Sequence, residues 1–227
     1  LLLTILWTAV NIILQLCIAF LVANLLNSPL IKRQKRVYET ILMFPWAMPG
    51  YVSILLWKTG MFNTQFGLLN TWVQKLGLES RRWLSSDLSA FICCTVVNLW
   101  LALPFMIMIM DGGLKSIDKC LYESATIDGA GKTKQAMVVT IPCLKPIIWP
   151  SVVITIFTTF KTFDVIYLMV LQTGSQTGAH IHTIITYAYE NAFITNNYGY
   201  SSAISIIIFV MLIAFSLFTN RRNKDDV

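Results

Sequence analysis

With 227 residues, 56% of them hydrophobic and only 12% charged, this chain is too apolar for an ordinary soluble domain, which carries about 25% charged residues. Its mean hydropathy is +0.66, and its apolar residues form long blocks close to the ~20 residues that cross a bilayer. The net charge of +6 does not indicate nucleic-acid binding, because the basic residues flank these apolar blocks. We therefore predict an all-α integral membrane protein.

Five apolar segments predict five transmembrane helices, at about residues 1–26, 37–57, 88–110, 146–171 and 200–220. The first segment lacks an initiator Met and any basic residue before Lys32. We therefore expect an N-terminally incomplete fragment that opens on a span and not on a signal peptide. The polar residues of this span are expected to face neighbouring helices, because unpaired amides in hydrocarbon are costly. They are Asn11, Gln15 and Asn24.

The second segment contains Pro45 and the pair Pro49-Gly50. Each proline removes a backbone donor and clashes with the preceding turn, so we predict a broken helix. Such a helix either lines a pore or gate or is an ordinary kink, and the sequence leaves both open.

The polar connection that follows, Met61–Asp87, contains the text GLLNTWVQKLGL. Its apolar residues Leu68, Leu69, Trp72 and Leu76 recur at helical spacing. This pattern predicts a short amphipathic helix that lies at the membrane surface.

The distribution of lysine and arginine predicts the orientation of the chain. With five spans, twelve basic residues fall in loops or ends on one side of the membrane and three on the other. Because basic residues are enriched on the cytoplasmic side, we predict that the 111–145 loop and the C-terminus are cytoplasmic. The twelve are Lys32, Arg33, Lys35, Arg36, Lys115, Lys119, Lys132, Lys134, Lys145, Arg221, Arg222 and Lys224, and the three are Lys75, Arg81 and Arg82.

The predicted cytoplasmic loop contains two short helical stretches. The first is expected over Ile117–Asp128, with Asp118 in its first turn, where the helix dipole favours an anion. Gly129-Ala130-Gly131 would end it, because glycine is the usual residue after a helix C-terminus. The second is expected over Thr133–Thr140 and would stop at Pro142. One apolar side of the first helix is formed by Leu121, Tyr122 and Ala125, with Cys120.

This loop resembles the EAA motif of bacterial ABC-importer permeases, which runs Glu-Ala-Ala, three residues, Gly, nine residues, Ile-x-Leu-Pro. The residues that match outright are Glu123, Ala125, Gly129 and Pro142. Ser124 replaces an alanine, Val139 the isoleucine and Ile141 the leucine. The alternative is an ordinary solvated helical loop, which the length of the match disfavours.

The resemblance covers essentially the whole chain and is to carbohydrate-importer permeases of the maltose type, on the side of the first permease subunit. It is carried by GLLNTWVQKLG, RRWLSSD, NLWLALPF, DGAG, FKTFDVIYLM, TYAYENAF and YGYSSAIS. It implies a binding-protein-dependent transport permease fold with a core of six spans, in one permease domain over residues 1–227, in the bacterial cytoplasmic (inner) membrane.

The resemblance also implies that transport and ATP hydrolysis belong to different subunits. The first loop helix would dock on a separate cytoplasmic ATPase, which binds ATP and Mg. This chain itself would bind no cofactor. A second homologous permease, two ATPase copies and an extracytoplasmic substrate-binding protein are the implied partners, together with membrane lipid and no nucleic acid. The implied ATPase-coupling residues are Leu121, Tyr122, Glu123, Ser124, Ala125, Asp128, Gly129, Ala130, Gly131 and Pro142.

Polar residues within the spans indicate a path for the substrate, because such residues tend to face a cavity. Four threonines share one helix face by their spacing, and their hydroxyls, with an aromatic platform, suit a sugar. By resemblance, these threonines and four positions of the third span match residues that contact sugar. The candidates are Asn98, Leu101, Ala102, Phe105, Thr155, Thr158, Thr159 and Thr162. The alternative is that the threonines bond to their own helix carbonyls.

Lys161 is a further path candidate, and it lies three residues before Asp164. At that spacing the two side chains are expected to pair and neutralise each other at membrane depth. The alternative is that Lys161 attracts an anionic sugar.

Two other function classes make different predictions. An ion-coupled secondary transporter would use Asp164 or Glu190 as its proton carrier. A membrane-embedded enzyme would use His180-x-His182 with Glu190 as a metal site, but this spacing is not HExxH and we predict no metal. The five cysteines also lack metal-ligand spacing. No GxxxxGK[ST] sequence occurs, so we do not expect this chain to hydrolyse ATP.

Overall fold

In a computed structural model, the structure describes residues 1–28, 31, 34–171 and 178–225, the last six of them by backbone alone. Within these ranges every regular element is a helix. The helices are α1 (Leu2–Leu26), α2 (Lys35–Ala47), α3 (Gly50–Leu56), α4 (Leu68–Lys75), α5 (Asp87–Ser116), α6 (Lys119–Ile127), α7 (Lys132–Gln135), α8 (Ile141–Phe160), α9 (Asp164–Met169), α10 (Ile184–Phe193) and α11 (Tyr198–Asp225). Two π-helical segments, Trp57–Met61 and Ala136–Thr140, extend α3 and join α7 to α8.

Four helical stretches are long and apolar enough to cross a membrane: Leu2–Leu26, Asp87–Ser116, Lys132–Met169 and Tyr198–Thr219. The pair Lys35–Ala47 and Gly50–Met61 makes a fifth if it counts as one broken span. The predicted all-α membrane protein with about five spans is therefore confirmed. Lys32 and Arg33 of the predicted basic cluster lie outside the described residues.

The second span is broken as predicted, but at only one of the two proline sites. Pro45 lies buried inside α2, whereas Met48 and Pro49 are both extended, with ψ of 142° and 127°. The residue before a proline is disfavoured in the helical region, which explains why the break begins at Met48. The prediction that Pro45 also breaks the helix is wrong.

The chain divides into two compact units, each made of separate stretches of sequence. One contains Leu1–Val10, Pro49–Asn98 and the described residues of Phe157–Val227, and the other contains Asn11–Met48 and Leu99–Ile156. We call them the first and the second unit.

The core of the second unit lies where α1 meets α5. Alanines of α1 and larger side chains of α5 are buried together there, because small residues let membrane helices approach closely. The core residues are Ala19, Ala23, Leu26, Met106, Ile107 and Met110.

At the end of this core, a buried carboxylate joins three helical segments of the second unit. The Asp111 carboxylate on α5 accepts hydrogen bonds from Lys35 Nζ on α2 and from Asn27 Nδ2 after α1, both at 2.7 Å. Lys115, one turn further along α5, pairs with the other Asp111 oxygen at 2.5 Å. Only 10% of the Asp111 side chain is exposed, so the paired lysines compensate its desolvation.

The polar residues of α1 follow the prediction in part. Asn11 and Gln15 are fully buried, as expected of amides that avoid lipid. Asn24 is exposed, and its Nδ2 donates to the carbonyl of Phe20 at 2.7 Å. Its own helix thus satisfies this amide, and the prediction that Asn24 faces a neighbouring helix is wrong.

In the first unit, α10 packs against α11 around Phe160, Ala188, Ile204 and Ile208. A neighbouring cluster of aromatic rings joins α9 to α10, with centroids 4.8–4.9 Å apart. Its members are Phe163, Tyr167, Tyr189 and Phe193. Lys58, in the π-helical end of α3, donates to the carbonyl of Leu168 on α9 and so ties the broken second span to this part of the unit.

One buried asparagine organises the connection between α3 and α5. Asn70 on α4 is fully buried, and its Nδ2 donates to the carbonyls of Asn63, Thr64 and Arg81 at 2.9–3.2 Å. Its Oδ1 accepts from the backbone N–H of Arg81 at 3.0 Å and from Trp83 Nε1 at 3.1 Å. A single amide therefore closes the segment from Asn63 to Trp83 on both sides of α4.

We expect Asn70→Ala to destabilise the first unit by about 2–3 kcal/mol, because buried backbone groups lose their partners together. Thermal unfolding of the purified protein, followed by tryptophan fluorescence, measures the change. Asn24→Ala is the matched control, since Asn24 is exposed and bonds only within its own helix. Equal melting temperatures for the two variants would show that the Asn70 network has no role in stability.

Candidate functional site

The first helix of the predicted cytoplasmic loop is α6, and Asp118 caps its N-terminus. Asp118 is extended and its Oδ1 accepts from the backbone N–H of Cys120 at 3.0 Å. This hydrogen bond lowers the pKa of the Asp118 carboxyl, so the cap is ionised at neutral pH. The predicted start at Ile117 is therefore two residues early, because the cap at Asp118 makes Lys119 the first residue of α6. Ile117 is buried and precedes the cap.

The C-terminus of α6 ends in a Schellman motif. Gly129 adopts a φ of +74°, which suits a residue without a Cβ atom. The N–H of Gly129 donates to the carbonyl of Thr126 at 3.0 Å, and the N–H of Ala130 to that of Ala125 at 2.9 Å. The predicted glycine stop is confirmed, and the geometry explains why the motif has glycine at this position.

Side chains hold α6 against the start of the fourth span. The Tyr122 hydroxyl lies 3.0 Å from Thr140 Oγ1. Gln135 Nε2 donates at 2.9 Å both to Thr126 Oγ1 and to the carbonyl of Ala130. The helix is therefore a short element with fixed ends that is braced to the next span within the second unit.

The exposed face of α6 differs from the predicted apolar side. Tyr122 and Ala125 are half-buried and turn toward their own chain, while Leu121 and Cys120 are exposed. The most exposed apolar residue is Ile127, at 87% of its surface. Sequence reasoning missed Ile127, because a position at the end of a short helix does not stand out in a periodic pattern. The other exposed residues of the predicted site are Glu123, Ser124, Asp128, Gly129, Gly131 and Pro142.

The second predicted loop helix is the start of the fourth span. α7 continues through the π-helical segment Ala136–Thr140 into α8, and Pro142 lies in the first turn of α8. The N–H of Ile141 bonds to the carbonyl of Ala136, five residues back. The wider turn accommodates the proline, which has no N–H to donate. The prediction that a helix stops at Pro142 is therefore wrong.

The path candidates of the third span all lie within α5. Asn98 is buried in the first unit, while Leu101, Ala102 and Phe105 are half-buried in the second. The ring of Phe105 lies 6.2 Å from that of Trp46, measured between centroids, in a tilted arrangement. Trp46, which sequence reasoning did not select, therefore adds a second ring to the aromatic platform.

The threonine face of the fourth span is only partly regular. Thr155 and Thr159 are buried and Thr158 is exposed, all on α8. Thr162 lies beyond the end of α8 at Phe160, so the helical spacing does not extend to it. Two of the hydroxyls donate to carbonyls of the same segment: Thr155 Oγ1 to Ser151 at 2.8 Å and Thr162 Oγ1 to Thr158 at 3.2 Å. The alternative interpretation, internal bonding, thus holds for these two.

Lys161 and Asp164 do not form the predicted ion pair. The helix is interrupted between Phe160 and Asp164, so the three-residue spacing no longer places the two side chains on one face. Both residues are exposed, and within the described ranges neither has an ion-pair partner.

The histidines of the alternative metal site lie in the first unit. His182 Nδ1 is 3.2 Å from Glu190 Oε2, and the backbone N–H of His180 donates to Asp87. The described residues contain no cluster of three or more His, Cys, Asp or Glu that could hold a metal ion.

Comparison with known proteins identifies relatives along almost the whole chain. The profile of one family, described as binding-protein-dependent transport system inner membrane component, matches residues 6–223. The trehalose/maltose transport system permease protein MalF of Thermococcus litoralis is 31% identical over 214 residues. The match covers 94% of this chain and 70% of that protein.

A second relative is the galactooligosaccharides transport system permease protein GanP of Bacillus subtilis, 31% identical over 227 residues. This chain spans about half of its length, 53%. The fold is similar to that in a crystal structure of a bacterial ABC transporter involved in the import of the acidic polysaccharide alginate. That match has a TM-score of 0.85 at 22% identity and covers 98% of this chain and 77% of the solved one.

Proposed function

We propose, since this chain belongs to the family of binding-protein-dependent transport system inner membrane components, that it is the permease subunit of an ATP-driven importer of sugars or oligosaccharides. In this proposal α6 is the coupling helix, which docks on a separate ATPase subunit that binds ATP and Mg. The chain itself supplies part of the membrane path and the lever that the ATPase moves.

The observation that carries the proposal is the construction of α6. A helix that transmits movement must be rigid and must make contacts that differ between two states of the machine. α6 has a side-chain cap at Asp118, a closed C-terminus at Gly129 and a brace through Tyr122 and Thr140 to the fourth span. Its outer face presents Ile127 and Glu123, both of which are exposed in the part of the chain that the structure describes. This arrangement suits a docking helix better than a solvated connection.

The orientation and the partners follow from this role. The excess of lysine and arginine at one side supports a cytoplasmic position for α6 and for the C-terminus, in a bacterial inner membrane. Two ATPase subunits, a second homologous permease and an extracytoplasmic binding protein would complete the assembly.

The substrate is proposed to be a sugar on two grounds. Curated relatives at 31% identity are named for trehalose and maltose and for galactooligosaccharides. Within each unit the chain also offers groups that suit a saccharide, namely Phe105 with Trp46 in one and Asn98 in the other. Aromatic rings contact the C–H faces of a sugar, and amides bond to its hydroxyls.

Lys161 extends the proposal to anionic saccharides, because it is exposed and makes no ion pair with Asp164. We expect Lys161→Ala to reduce uptake of a labelled acidic oligosaccharide about tenfold and to leave uptake of a neutral oligosaccharide unchanged. The reason is that the variant loses one charge-assisted hydrogen bond to the acidic sugar, which is worth ~1.5–3 kcal/mol. Uptake of a panel of labelled oligosaccharides by the reconstituted complex measures both. Lys161→Arg, which keeps the charge, is the control. Unchanged uptake of every acidic saccharide in Lys161→Ala would end the anionic proposal, while transport of no saccharide at all would end the sugar proposal.

A further inference from the structure

A groove of about 770 Å³ lies in the first unit, between the π-helical end of α3 and the N-terminal turns of α5. One end of it is apolar and is lined by Trp57, Phe62, Ile92 and Val96. Ile92 and Val96 are exposed on α5, so this end is continuous with the surface that a membrane-spanning helix presents to acyl chains.

The other end of the groove is polar and basic. It is lined by two adjacent arginines, Arg81 and Arg82, and by serine residues, of which Ser86 directly precedes α5 and Ser89 lies in its first turn. None of the lining residues, all of which the structure describes, is acidic. Asp87 lies next to the groove, but one of its oxygens accepts a hydrogen bond from the backbone of His180. The groove therefore combines a hydrocarbon-compatible end with a cationic one.

The two guanidinium groups are available to a ligand, while the backbone that carries them is fixed. Among the described residues, neither Arg81 nor Arg82 has a side-chain hydrogen bond or an ion pair. Asn70 holds both the N–H and the carbonyl of Arg81, and the N–H and hydroxyl of Ser85 donate to the carbonyl of Arg82. Positioned arginines of this kind suit phosphate, because the guanidinium group donates two parallel hydrogen bonds.

Helix α4 places this end of the groove at the level of lipid head groups. Leu68 and Trp72 of α4 and Leu76 at its C-cap are all more than half exposed, as expected of a helix whose apolar face enters the membrane surface. Tryptophan is enriched at that depth. Asn70 connects α4 directly to Arg81, so the arginines lie at the same depth as the helix.

We propose that this groove binds an anionic phospholipid, with its phosphate on Arg81 and Arg82 and an acyl chain along Ile92 and Val96. α5 is a membrane-spanning helix and the groove lies at its N-terminal turns, so the lipid belongs to the leaflet at that end of α5. Its assignment to the outer leaflet rests on the proposed orientation. A free phosphate would not use the apolar end, and an acidic protein surface would not enter between Trp57 and Val96.

The test is binding of phosphatidylglycerol to the full chain, purified with any subunits that accompany it and analysed by native mass spectrometry. Arg81→Gln/Arg82→Gln is expected to weaken binding roughly 25-fold, since each basic residue near an anionic surface contributes about fivefold. Lys75→Gln, on the same side but outside the groove, should leave binding unchanged. Ile92→Trp, which fills the apolar end and keeps both charges, should also weaken it. Arg81→Lys/Arg82→Lys keeps both charges but loses the paired hydrogen bonds, so it should bind more weakly than the unmodified chain and more tightly than the glutamine variant, and its remaining binding is the control for folding.

Three outcomes would overturn the proposal. In the first, the double glutamine variant binds phosphatidylglycerol as tightly as the unmodified chain. In the second, Ile92→Trp leaves phosphatidylglycerol binding unchanged, which would show that the apolar end of the groove is not used and that the arginines bind a phosphate group alone. In the third, the double variant keeps the lipid but loses stimulation by an extracytoplasmic binding protein, which would assign the arginines to protein docking. The binding measurement uses neither ATP nor sugar, so its result is independent of whether the proposed import function holds.

Discussion

Ile127→Lys is expected to separate the permease from its ATPase and to reduce ATP-driven uptake by tenfold or more. Ile127 is 87% exposed at the end of α6, so the described part of its own chain covers little of its side chain. Burial of such a side chain in a docking cleft contributes about 1.5–3 kcal/mol, and a lysine in its place would add the cost of burying a charge. Retention of the ATPase during purification and uptake in proteoliposomes measure the two effects.

The control for this variant is Met137→Lys, which makes a comparable change at an exposed residue outside α6. A second comparison alters the end of the helix and leaves its outer face unchanged. Gly129→Ala introduces a Cβ at a φ of +74°, which costs about 1–2 kcal/mol, whereas Gly131→Ala sits at an ordinary φ of −65°. In both positions the added Cβ meets no other atom, so only the backbone conformation differs. If Ile127→Lys and Met137→Lys proved alike in both assays, α6 would not be the docking helix.

Asp111→Asn is expected to lower the free energy of unfolding by about 3 kcal/mol and the melting temperature by roughly 10 °C. The amide keeps the shape of the carboxylate and its contact with Asn27 but leaves Lys35 without its closest counter-charge. The Lys35 side chain is only 16% exposed, so water compensates this loss poorly. Thermal unfolding of the purified protein, followed by tryptophan fluorescence, measures the shift.

Asp128→Asn is the matched control, because Asp128 is an exposed carboxylate at the end of α6. A double variant, Asp111→Asn with Lys35→Met, removes both charges and should recover part of the loss. If Asp111→Asn melted at the same temperature as Asp128→Asn, the buried cluster would not contribute to the stability of the second unit.

The helical spans and the site loop could be predicted because their signals are local. Long apolar runs are sufficient to indicate spans, and the spacing from Glu123 to Pro142 is sufficient to indicate the family. The glycine that ends α6 could be predicted equally well, because a backbone position with a positive φ strongly favours glycine.

The errors arose where a distant contact or a local irregularity decides the structure. Pro142 reads as a helix stop, but a π-helical turn carries the chain past it. The prediction of a Lys161–Asp164 ion pair assumed that the helix continues through both residues, but α8 ends at Phe160. The roles of Asn70 and Asp111 depend on partners 11 and 84 residues away, and no periodic pattern contains such pairings.

The central claim, that ATP hydrolysis on a separate subunit drives transport through this chain, is tested most directly by uptake into proteoliposomes. The complete complex would be supplied with labelled oligosaccharide and either ATP or a non-hydrolysable analogue, with and without ionophores that abolish ion gradients. We expect uptake that requires hydrolysable ATP and is unaffected by the ionophores. Uptake that continues without ATP and stops when the gradients are abolished would contradict the claim and identify an ion-coupled transporter.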